Sequence, residues 1–536
     1  MTTASNREVA SKAAGTVLLT LCAAQFLMAL DSSVMNVSIA TVAEDLGTTI
    51  TGIQTAIVLY TLVMAMLMVT GGKVGSIIGR KRAFMIGCVI YCSGSLTTAL
   101  SPNLGWLIFG WSFLEGVGAA LIMPAIVALV AGNFPPAERP RAYGLVGAAG
   151  AIAVAVGPLI GGLATTYASW RVVFAGEVLV GAGILLLARR VADAPSDVRP
   201  HLDWLGSLLW AAAMGFVIIA VLRSSEWGWI LPAEGAPSIL RVSLVVWLVL
   251  AGFSLMLLFL GHVRRLEAGG ADPLVSPGLF ANRQMTGGLL MFFFQFLVMM
   301  GLFFAIPLYL SVALGLSAID TGIKLLPLSI TMLLAAAGVP KFFPTVSPRR
   351  VVNIGLGVVV VGIVWLFSAI DVEASAEIVT GPLLLIGLGG LASQLGSVTV
   401  SAVPDSQSPE VGGLQNTASQ FGASLGTALA GSVLIAALTA SFLTGIDQNP
   451  AVPDEVVAQA NVRLSGGGEF ISDAQLTSAL QQAGVDEPTT QAIVEANEQA
   501  RVDGLRATLA LLALFALLAL FFTSRIPTEQ PAGTAP

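Results

Sequence analysis

The feature that most constrains this chain is a series of about fourteen apolar runs, most of them near the ~20 residues that span a bilayer as an α-helix. Short breaks rich in polar residues, Gly or Pro separate them, so successive helices should be antiparallel neighbours. Because lipid offers the backbone no hydrogen bonds, such runs must be helical. The predicted fold class is an all-α polytopic membrane protein. The runs lie near residues 14–40, 52–72, 83–101, 104–131, 141–167, 170–190, 203–223, 240–262, 285–312, 321–343, 350–370, 378–403, 411–441 and 505–524.

Composition excludes several other classes of protein. The chain is 56% hydrophobic and 10% charged, whereas about 25% of the residues in a soluble domain are charged. The sequence contains no Gly-x-x-x-x-Gly-Lys loop for nucleotides and no cluster of His, Cys and carboxylate residues in a metal-ligand spacing. His201 and His262 stand alone near predicted cytoplasmic helix ends. We therefore expect no enzyme activity, no cofactor, no metal and no nucleic-acid partner. The expected surroundings are the lipid bilayer, and the expected state is a monomer.

The distribution of cations predicts the orientation. If the N-terminus is cytoplasmic, eighteen of the 25 Lys and Arg residues fall on the cytoplasmic side, which is the side where they accumulate in membrane proteins. Both termini are then cytoplasmic, in a cytoplasmic (inner) membrane. The segment 443–503 is then extracellular, and it carries ten acidic residues against Arg463 and Arg501. Its simplest interpretation is a solvated acidic cap, with helical character from Asp473 onward.

Two spacings recur in the two ends of the chain and indicate an internal repeat. Lys73 and Lys81 are spaced like Lys341 and Arg349. A glycine pattern on the fifth run also recurs on the thirteenth, and transporters built from repeats bind substrate between them near mid-membrane. We predict an N-terminal six-helix bundle (1–190), two linker helices (191–270) and a C-terminal six-helix bundle (271–536). The matching glycines are Gly144, Gly157 and Gly162 in the first bundle and Gly413, Gly426 and Gly431 in the second.

Two short segments carry motifs with a physical meaning. Residues 72–82 form a predicted cytoplasmic turn with glycines for close helix approach and four cations. The fifth run contains a Gly-Pro-x-x-Gly-Gly pattern, in which small residues permit tight helix packing and the proline bends the helix. Trp170 and Arg171 follow it. The conformational residues we single out are Gly72, Ser76, Gly79, Arg80, Lys81, Gly157, Pro158, Gly161, Gly162 and Arg171.

These motifs resemble those of the major facilitator superfamily: the loop between helices 2 and 3, and the antiporter motif of exporters on helix 5. Almost the whole chain is similar to the fourteen-helix drug:proton antiporter family. The resemblance implies the major facilitator fold, two six-helix bundles plus two additional helices, and secondary transport. Further matching segments are Leu30–Val37, Asp203–Gly206, Trp227–Trp229, Pro307–Leu310 and Gly413–Asn416.

The chain departs from the family pattern at charged positions. The loop usually has an acid where Ser76 stands, and helix 4 usually has an Arg where Ser112 stands, with Gln at the position of Glu115. Ser419 occupies another position that is often Arg. The cationic part of the usual proton-coupling arrangement is therefore missing, which places the standard coupling scheme, though not the fold, in question.

Three acidic residues are predicted at membrane depth: Asp31, Glu115 and Glu177. An acid at the centre of a spanning helix costs about 2.5–3.5 kcal/mol by insertion scales, so such residues face a cavity and mark function by default. With no cation beside them, desolvation disfavours their charged form. We expect them to exchange protons or bind positive ligands in a watery cavity. The alternative for each is a structural hydrogen bond to a neighbouring helix.

Other polar residues in the runs are further candidates for the substrate or proton path. Gln25 and Asn36 share one face of the first helix near Asp31. Gln295 lies among four phenylalanines and is followed by Met299, and Met adapts to varied ligands. Lipid contact or plain packing is the alternative for this aromatic stripe.

The sequence as a whole predicts proton-coupled efflux of amphipathic, chiefly cationic, small molecules by alternating access. The first alternative is an exporter of an endogenous metabolite or lipid that is not coupled to protons in the usual way. A non-transporting membrane sensor with the same fold is the second alternative, and it leaves the acids at membrane depth unexplained.

Overall fold

The computed structural model describes residues 2–135, 138–193, 201–233, 235–343, 345–390, 399, 408–464, 468 and 470–528. Within them the helices are α1 Thr2–Asp45, α2 Ile50–Ile78, α3 Arg80–Ala99, α4 Leu104–Asn133, α5 Arg139–Tyr167, α6 Arg171–Ala188, α7 Trp204–Leu222, α8 Leu244–Ala268, α9 Arg283–Ala313, α10 Ala318–Phe342, α11 Pro348–Ala369, α12 Thr380–Gly389, α13 Ser408–Gln448, α14 Asp454–Arg463, α15 Asp473–Gln482 and α16 Glu487–Phe522.

Smaller elements interrupt or connect these helices. A π-helical segment, Ile108–Glu115, lies inside α4, and another, Tyr309–Ala313, ends α9. One helical turn, Ser224–Trp227, follows α7, and a hairpin of β1 (Ser238–Ile239) and β2 (Val242–Ser243) precedes α8. The 3₁₀ turns are Pro277–Ala281, Ala376–Val379 and Thr523–Arg525.

The predicted fold class is confirmed. Twelve helices in the described part of the chain are long and apolar enough to cross a membrane. The two remaining apolar runs correspond to α3, which has 20 residues and opens with three cations, and to the shorter apolar helix Ala376–Gly389. The end of that run, near 391–403, lies outside the described residues apart from Thr399. Each of the predicted runs therefore has a helix in the structure.

The predicted turn at residues 72–82 is mostly helix, which corrects the sequence interpretation. Helix α2 runs to Ile78 and α3 begins at Arg80, so Gly79 alone connects them. Gly79 has φ +102°, in the left-handed region that a residue without Cβ adopts freely. A single such residue reverses the chain, and the cations at 80–82 become the first turn of α3.

Helix contacts gather the membrane helices into two groups and a pair. Among the first six helices, α1 packs on α5 and α6, and α3 packs on α4 and α6. Among the later ones, α9 packs on α13 and α16, and α11 packs on α12 and α16. Helices α7 and α8 pack mainly on each other. The largest contacts that join the first group to the second are α2 with α13 and α5 with α10.

The repeated glycines allow matching contacts within each group. A Cβ at Gly157 of α5 would collide with the Ser33 side chain of α1, and a Cβ at Gly426 of α13 would collide with the Leu297 carbonyl of α9. Helices α1 and α9 are the first helices of their groups. The glycine therefore lets the fifth helix of each group lie directly on the first.

The second repeated glycine of each pair allows a contact between the groups. A Cβ at Gly162 of α5 would lie 2.6 Å from the Ala318 carbonyl oxygen of α10, and one at Gly431 of α13 would collide with the Gln54 side chain of α2. Each fifth helix thus meets the second helix of the opposite group. The sequence repeat is also a repeat in space.

The segment after α13 folds as a small polar layer at one end of the bundle. Helices α14, α15 and the start of α16 share an apolar cluster that includes Val452, Val457 and Ile493. Arg501, 2% exposed, binds Asp473 at 2.6 Å and the Ile471 carbonyl at 2.9 Å. Helix α15 begins at Asp473, where the sequence predicted helical character.

Candidate functional site

The three membrane-depth acids meet at one place. Asp31 comes from α1, Glu115 from the end of the π-helical segment of α4, and Glu177 from α6. One oxygen from each carboxyl group lies within 4.8 Å of the other two. Asp31 and Glu115 are 0% exposed and Glu177 is 2% exposed. We call these three residues the acidic triad.

Asp31 accepts a hydrogen bond from one indole N–H that its two carboxyl oxygens share. The indole Nε1–H of Trp111 lies 2.9 Å from both of its carboxylate oxygens. The Trp111 ring stacks on Tyr60 of α2 with centroids 4.9 Å apart and planes 9° apart. One indole N–H shared by both oxygens fixes the orientation of the Asp31 carboxyl group.

Helix α3 supplies hydroxyl groups to the two glutamates. Thr98 Oγ1 lies 3.2 Å from Glu115 Oε1, and Ser95 Oγ lies 3.2 Å from Glu177 Oε2. Gly94, one turn before Thr98, makes room for the Glu115 side chain, since a Cβ there would lie 2.5 Å from Glu115 Cγ. The spacing of Ser95 and Thr98 places both hydroxyls on one helix face.

The hydrogen-bond inventory of Thr98 shows what the triad can do chemically. Its hydroxyl also lies 2.9 Å from the Gly94 carbonyl oxygen, and a hydroxyl has only one hydrogen to donate. When that hydrogen goes to Gly94, the contact with Glu115 is satisfied only if Glu115 carries a proton. By rotating this hydrogen, the Thr98 hydroxyl can serve either the charged or the protonated form of Glu115.

The surroundings differ from the watery cavity that the sequence suggested. The carboxyl groups lie within 4.8 Å of one another, accept hydrogen bonds from side chains of α3 and α4, and are all buried. Among the described residues no Lys or Arg forms an ion pair with any of them. The burial in this conformation does not agree with an open chamber.

The other predicted polar candidates lie outside the triad. Gln25 of α1 faces Gly150 of α5, where a Cβ would lie 3.2 Å from Gln25 Nε2. Asn36 donates from Nδ2 to the Ser32 carbonyl at 2.8 Å, and its buried Oδ1 has no hydrogen-bond partner. Gln295 of α9 lines a small apolar pocket with Met291 and Met299.

The residues of the motif at 72–82 bind segments far away in sequence. Lys73 pairs with Asp272 at 3.3 Å, and Lys81 Nζ donates to the Arg189 carbonyl at 2.8 Å. The Lys81 backbone N–H donates to Asp193 Oδ1 at 3.0 Å. Ser76, where the family usually has an acid, donates to the Gly72 carbonyl of its own helix at 3.2 Å. Asp193 thus supplies an acid that the motif itself lacks.

We expect Asp193→Ala to lower the stability of the N-terminal group by about 1 kcal/mol, as the loss of a helix N-cap does. Gly79 gives α3 no side-chain cap, so Asp193 alone accepts from the Lys81 N–H with a side chain. Thermal unfolding in detergent measures this. Asp193→Asn keeps an acceptor and should lose less than half as much; equal losses in both variants would contradict the capping role.

The motif of α5 packs on two different helices. Gly157 and Gly161 face α1, where a Cβ at Gly161 would lie 3.0 Å from Val34 Cα. Gly162 and the Pro158 carbonyl face α10, and a Cβ at Gly322 would collide with that carbonyl. One face of the motif therefore fixes α5 to its own group, and the other lets α10 approach closely.

Further hydrogen bonds join the two groups near these glycines. Gln54 Nε2 donates to the Thr427 carbonyl at 3.1 Å, and Ser424 Oγ donates to the Val58 carbonyl at 3.0 Å. The Ile319 N–H donates to Thr166 Oγ1 at 3.1 Å. We call the α2–α13 and α5–α10 contacts together the inter-group surface. It lies at the end of the bundle where α2 begins and α5 ends.

Arg171 forms a separate cluster at the same end. It pairs with Asp45 at the end of α1, donates to the Ser101 carbonyl at 2.9 Å, and lies over the Trp170 ring at 4.4 Å. Trp170 Nε1 also donates to Asp45 at 3.0 Å. Arg171 therefore connects α1, α3 and α6 and does not neutralise Glu177.

Comparison with known proteins places this architecture. The profile of the Major Facilitator Superfamily matches residues 21–427. The chain belongs to the Major Facilitator Superfamily. It is accordingly a multi-pass membrane transporter and not an enzyme. The motif resemblance to the fourteen-helix drug:proton antiporters is confirmed, since curated superfamily relatives include drug-resistance and efflux proteins.

Two relatives and one solved structure illustrate the match. The puromycin resistance protein pur8 of Streptomyces alboniger is 32% identical over 446 residues, which cover 81% of this chain and 84% of that protein. The multidrug efflux pump LfrA of Mycolicibacterium smegmatis is 26% identical over 458 residues, which cover 85% of this chain and 87% of that protein. An inward-facing bacterial homologue of the human lysosomal transporter Spinster superposes with a TM-score of 0.58 at 16% identity, over 97% of this chain and 99% of that chain.

Several residues at the site were not found by sequence reasoning. Trp111, Tyr60 and Tyr91 were passed over because aromatic residues in membrane helices are common and most only pack. The available signal was the spacing of Trp111 and Glu115, which puts both on one face of α4. Ser95 and Thr98 gave a similar signal on α3.

Proposed function

We propose that this transporter exports amphipathic, chiefly cationic, small molecules across the cytoplasmic membrane in exchange for protons. The observation that carries the proposal is the acidic triad: three buried carboxyl groups, none in an ion pair among the described residues, beside a fixed Trp111 donor. A site with negative charge and no cation favours positive ligands. Relatives named for puromycin resistance and multidrug efflux support export as the direction.

The proposed domains follow the helix contacts. The N-terminal bundle is 1–190, the linker pair is 191–270, and the C-terminal bundle is 271–536 with its polar layer at 443–503. The preference of α7 and α8 for each other supports the separate linker. With both termini cytoplasmic, as the cation distribution favours, the inter-group surface lies in the outer half of the membrane.

In this mechanism the two bundles rock about the inter-group surface. When that surface is closed, as here, the route to the outside is sealed and the triad is dry. Its opening would let water and external protons reach Asp31, and protonation there would release a bound cation outward. Each charge that crosses 100 mV gains about 2.3 kcal/mol, which is enough to drive concentration of a substrate.

The experiment is an efflux screen in cells that lack other exporters, with lipophilic cations, neutral compounds and anions of similar size. We expect cations to be exported fastest and an uncoupler to stop their export. Purified protein in vesicles should release protons when substrate is added on the cytoplasmic side. Export that continues unchanged after the pH gradient is collapsed would contradict proton coupling.

One observation favours the second candidate, an exporter of an endogenous metabolite or lipid that is not coupled to protons in the usual way. Ser112, at the position where the family usually has Arg, donates a hydrogen bond to the Ala56 carbonyl at 2.7 Å. Ser419 likewise donates to Gln415 of its own helix at 2.9 Å. Export that resists the uncoupler would support this candidate.

A further inference from the structure

Four buried oxygen atoms around the acidic triad make no hydrogen bond of normal length and angle. Two belong to the triad itself, Glu115 Oε2 and Glu177 Oε1, and two are the hydroxyls of Tyr60 and Tyr91. The tyrosines are 2% and 1% exposed, and both hydroxyls face the Asp31 carboxylate. A buried polar atom without a partner costs about 1–3 kcal/mol, so four at one place indicate a ligand that satisfies them together.

The geometry of these oxygens fits a single hard cation. Carboxyl oxygens that all lie within 4.8 Å of one another can share one cation the size of Ca²⁺, whose bonds to oxygen are about 2.3–2.6 Å long. Carboxylate and hydroxyl oxygens are ligands that hard cations prefer. The triad and the tyrosines together offer at least five such atoms.

Charge balance favours a monovalent ion. The cluster is buried, and no described ion pair supplies it with a cation. Replacing one proton by one monovalent cation leaves the total charge of the cluster unchanged. A divalent ion would have to displace two protons at once to achieve the same balance.

We propose that the acidic triad binds a dehydrated Na⁺ in exchange for one proton, with the hydroxyls of Tyr60 and Tyr91 as additional ligands. In the exchange one carboxyl O–H bond is broken, the proton leaves to water, and Na⁺ takes its place among the oxygens. The proposal rests on the triad being the coupling site of the proposed function, and it adds a second ion that competes there with protons.

Trp111 provides a direct readout of binding, because its N–H contacts Asp31 and its ring stacks on Tyr60. The experiment measures tryptophan fluorescence of the purified full-length protein while NaCl replaces choline chloride at constant ionic strength. We expect a saturable change with Na⁺ and none with choline. One released proton predicts that the half-saturating Na⁺ concentration rises about tenfold for each unit that the pH is lowered.

Variants separate binding from folding. Trp111→Phe should remove the signal. Tyr60→Phe and Tyr91→Phe delete one hydroxyl each and should weaken Na⁺ binding at least about tenfold, as the loss of supporting groups does in other metal sites. Tyr309→Phe is the matched control, since Tyr309 also has a buried hydroxyl without a partner but lies in α9. It should bind Na⁺ like the wild type.

Three results would overturn the inference. The first is an equal response to choline and Na⁺, and the second is an unchanged Na⁺ affinity in both tyrosine variants. The third is a response to Ca²⁺ at lower concentrations than Na⁺ with release of two protons. If efflux follows the pH gradient but the fluorescence does not respond to Na⁺, the proposed function stands and the Na⁺ site is rejected. If the protein binds Na⁺ but exports nothing, the Na⁺ site stands and the proposed function is rejected.

Discussion

Asp31→Asn is expected to reduce pH-driven efflux to the background of cells without the transporter, while the protein stays folded in the membrane. The Asn side chain can still accept from Trp111 Nε1 through its carbonyl oxygen, but it cannot bind or release a proton. Removing a buried acid also relieves up to about 2.5–3.5 kcal/mol of insertion cost. We therefore expect a thermal unfolding temperature equal to or higher than that of the wild type. Efflux and thermal unfolding in detergent are the two measurements.

A loss of efflux without a loss of thermal stability distinguishes a coupling role for Asp31 from a structural one. If Asp31 only held α1 against α4, its replacement would lower stability and efflux together. Glu44→Gln is the matched control, because Glu44 is an exposed acid near the end of the same helix. It should leave both quantities unchanged. Wild-type efflux in the double variant Asp31→Asn, Glu115→Gln would remove the triad from the mechanism.

Gly322→Ala is expected to open the inter-group surface and favour the state that is open to the outside. A methyl group at this position meets the backbone carbonyl of Pro158, which cannot move as a side chain can. Overpacking of this kind costs about 1–3 kcal/mol, and a change of 1–3 kcal/mol shifts an equilibrium about 5- to 150-fold. Labelling of a cysteine introduced at Thr166 with an impermeant reagent added outside the cell should speed up accordingly, and efflux should slow.

Gly147→Ala tests the same substitution on α5 where space is free, since a Cβ there has nothing within 4 Å. It should change neither labelling nor efflux. If Gly322→Ala left labelling at the wild-type rate while the protein remained folded, close packing of α10 on α5 would not control access.

The fold was predictable because lipid leaves few choices. The length of the apolar runs and their polar breaks were enough for the helices, and the cations and the glycine motifs were enough for the superfamily. The turn after α2 was predicted too long: residues 72–82 were expected to form it, but all of them except Gly79 are helical. Glycines and cations in sequence suggest a loop, but Gly79 alone reverses the chain when Asp193, more than a hundred residues later, caps the next helix.

The site was predictable only in part. Asp31, Glu115 and Glu177 stood out singly because a charge in an apolar run is rare, yet nothing in their spacing showed that they meet. Their meeting depends on how α1, α4 and α6 pack. The same limit explains why Tyr60 and Trp111 were missed: an aromatic side chain signals packing until its neighbour is known to be an acid.

The acids lie next to the inter-group surface about which the two bundles are proposed to rock. Tyr60 is two residues from Val58, whose carbonyl receives Ser424 from the opposite bundle, and Ser33 is two residues from Asp31 and lies under Gly157 of α5. In the proposed mechanism, a unit of charge gained or lost there acts within about one helical turn of the Val58–Ser424 contact between the bundles, so no long relay is needed. Coupling between proton exchange at the triad and opening of the inter-group surface would then be nearly local.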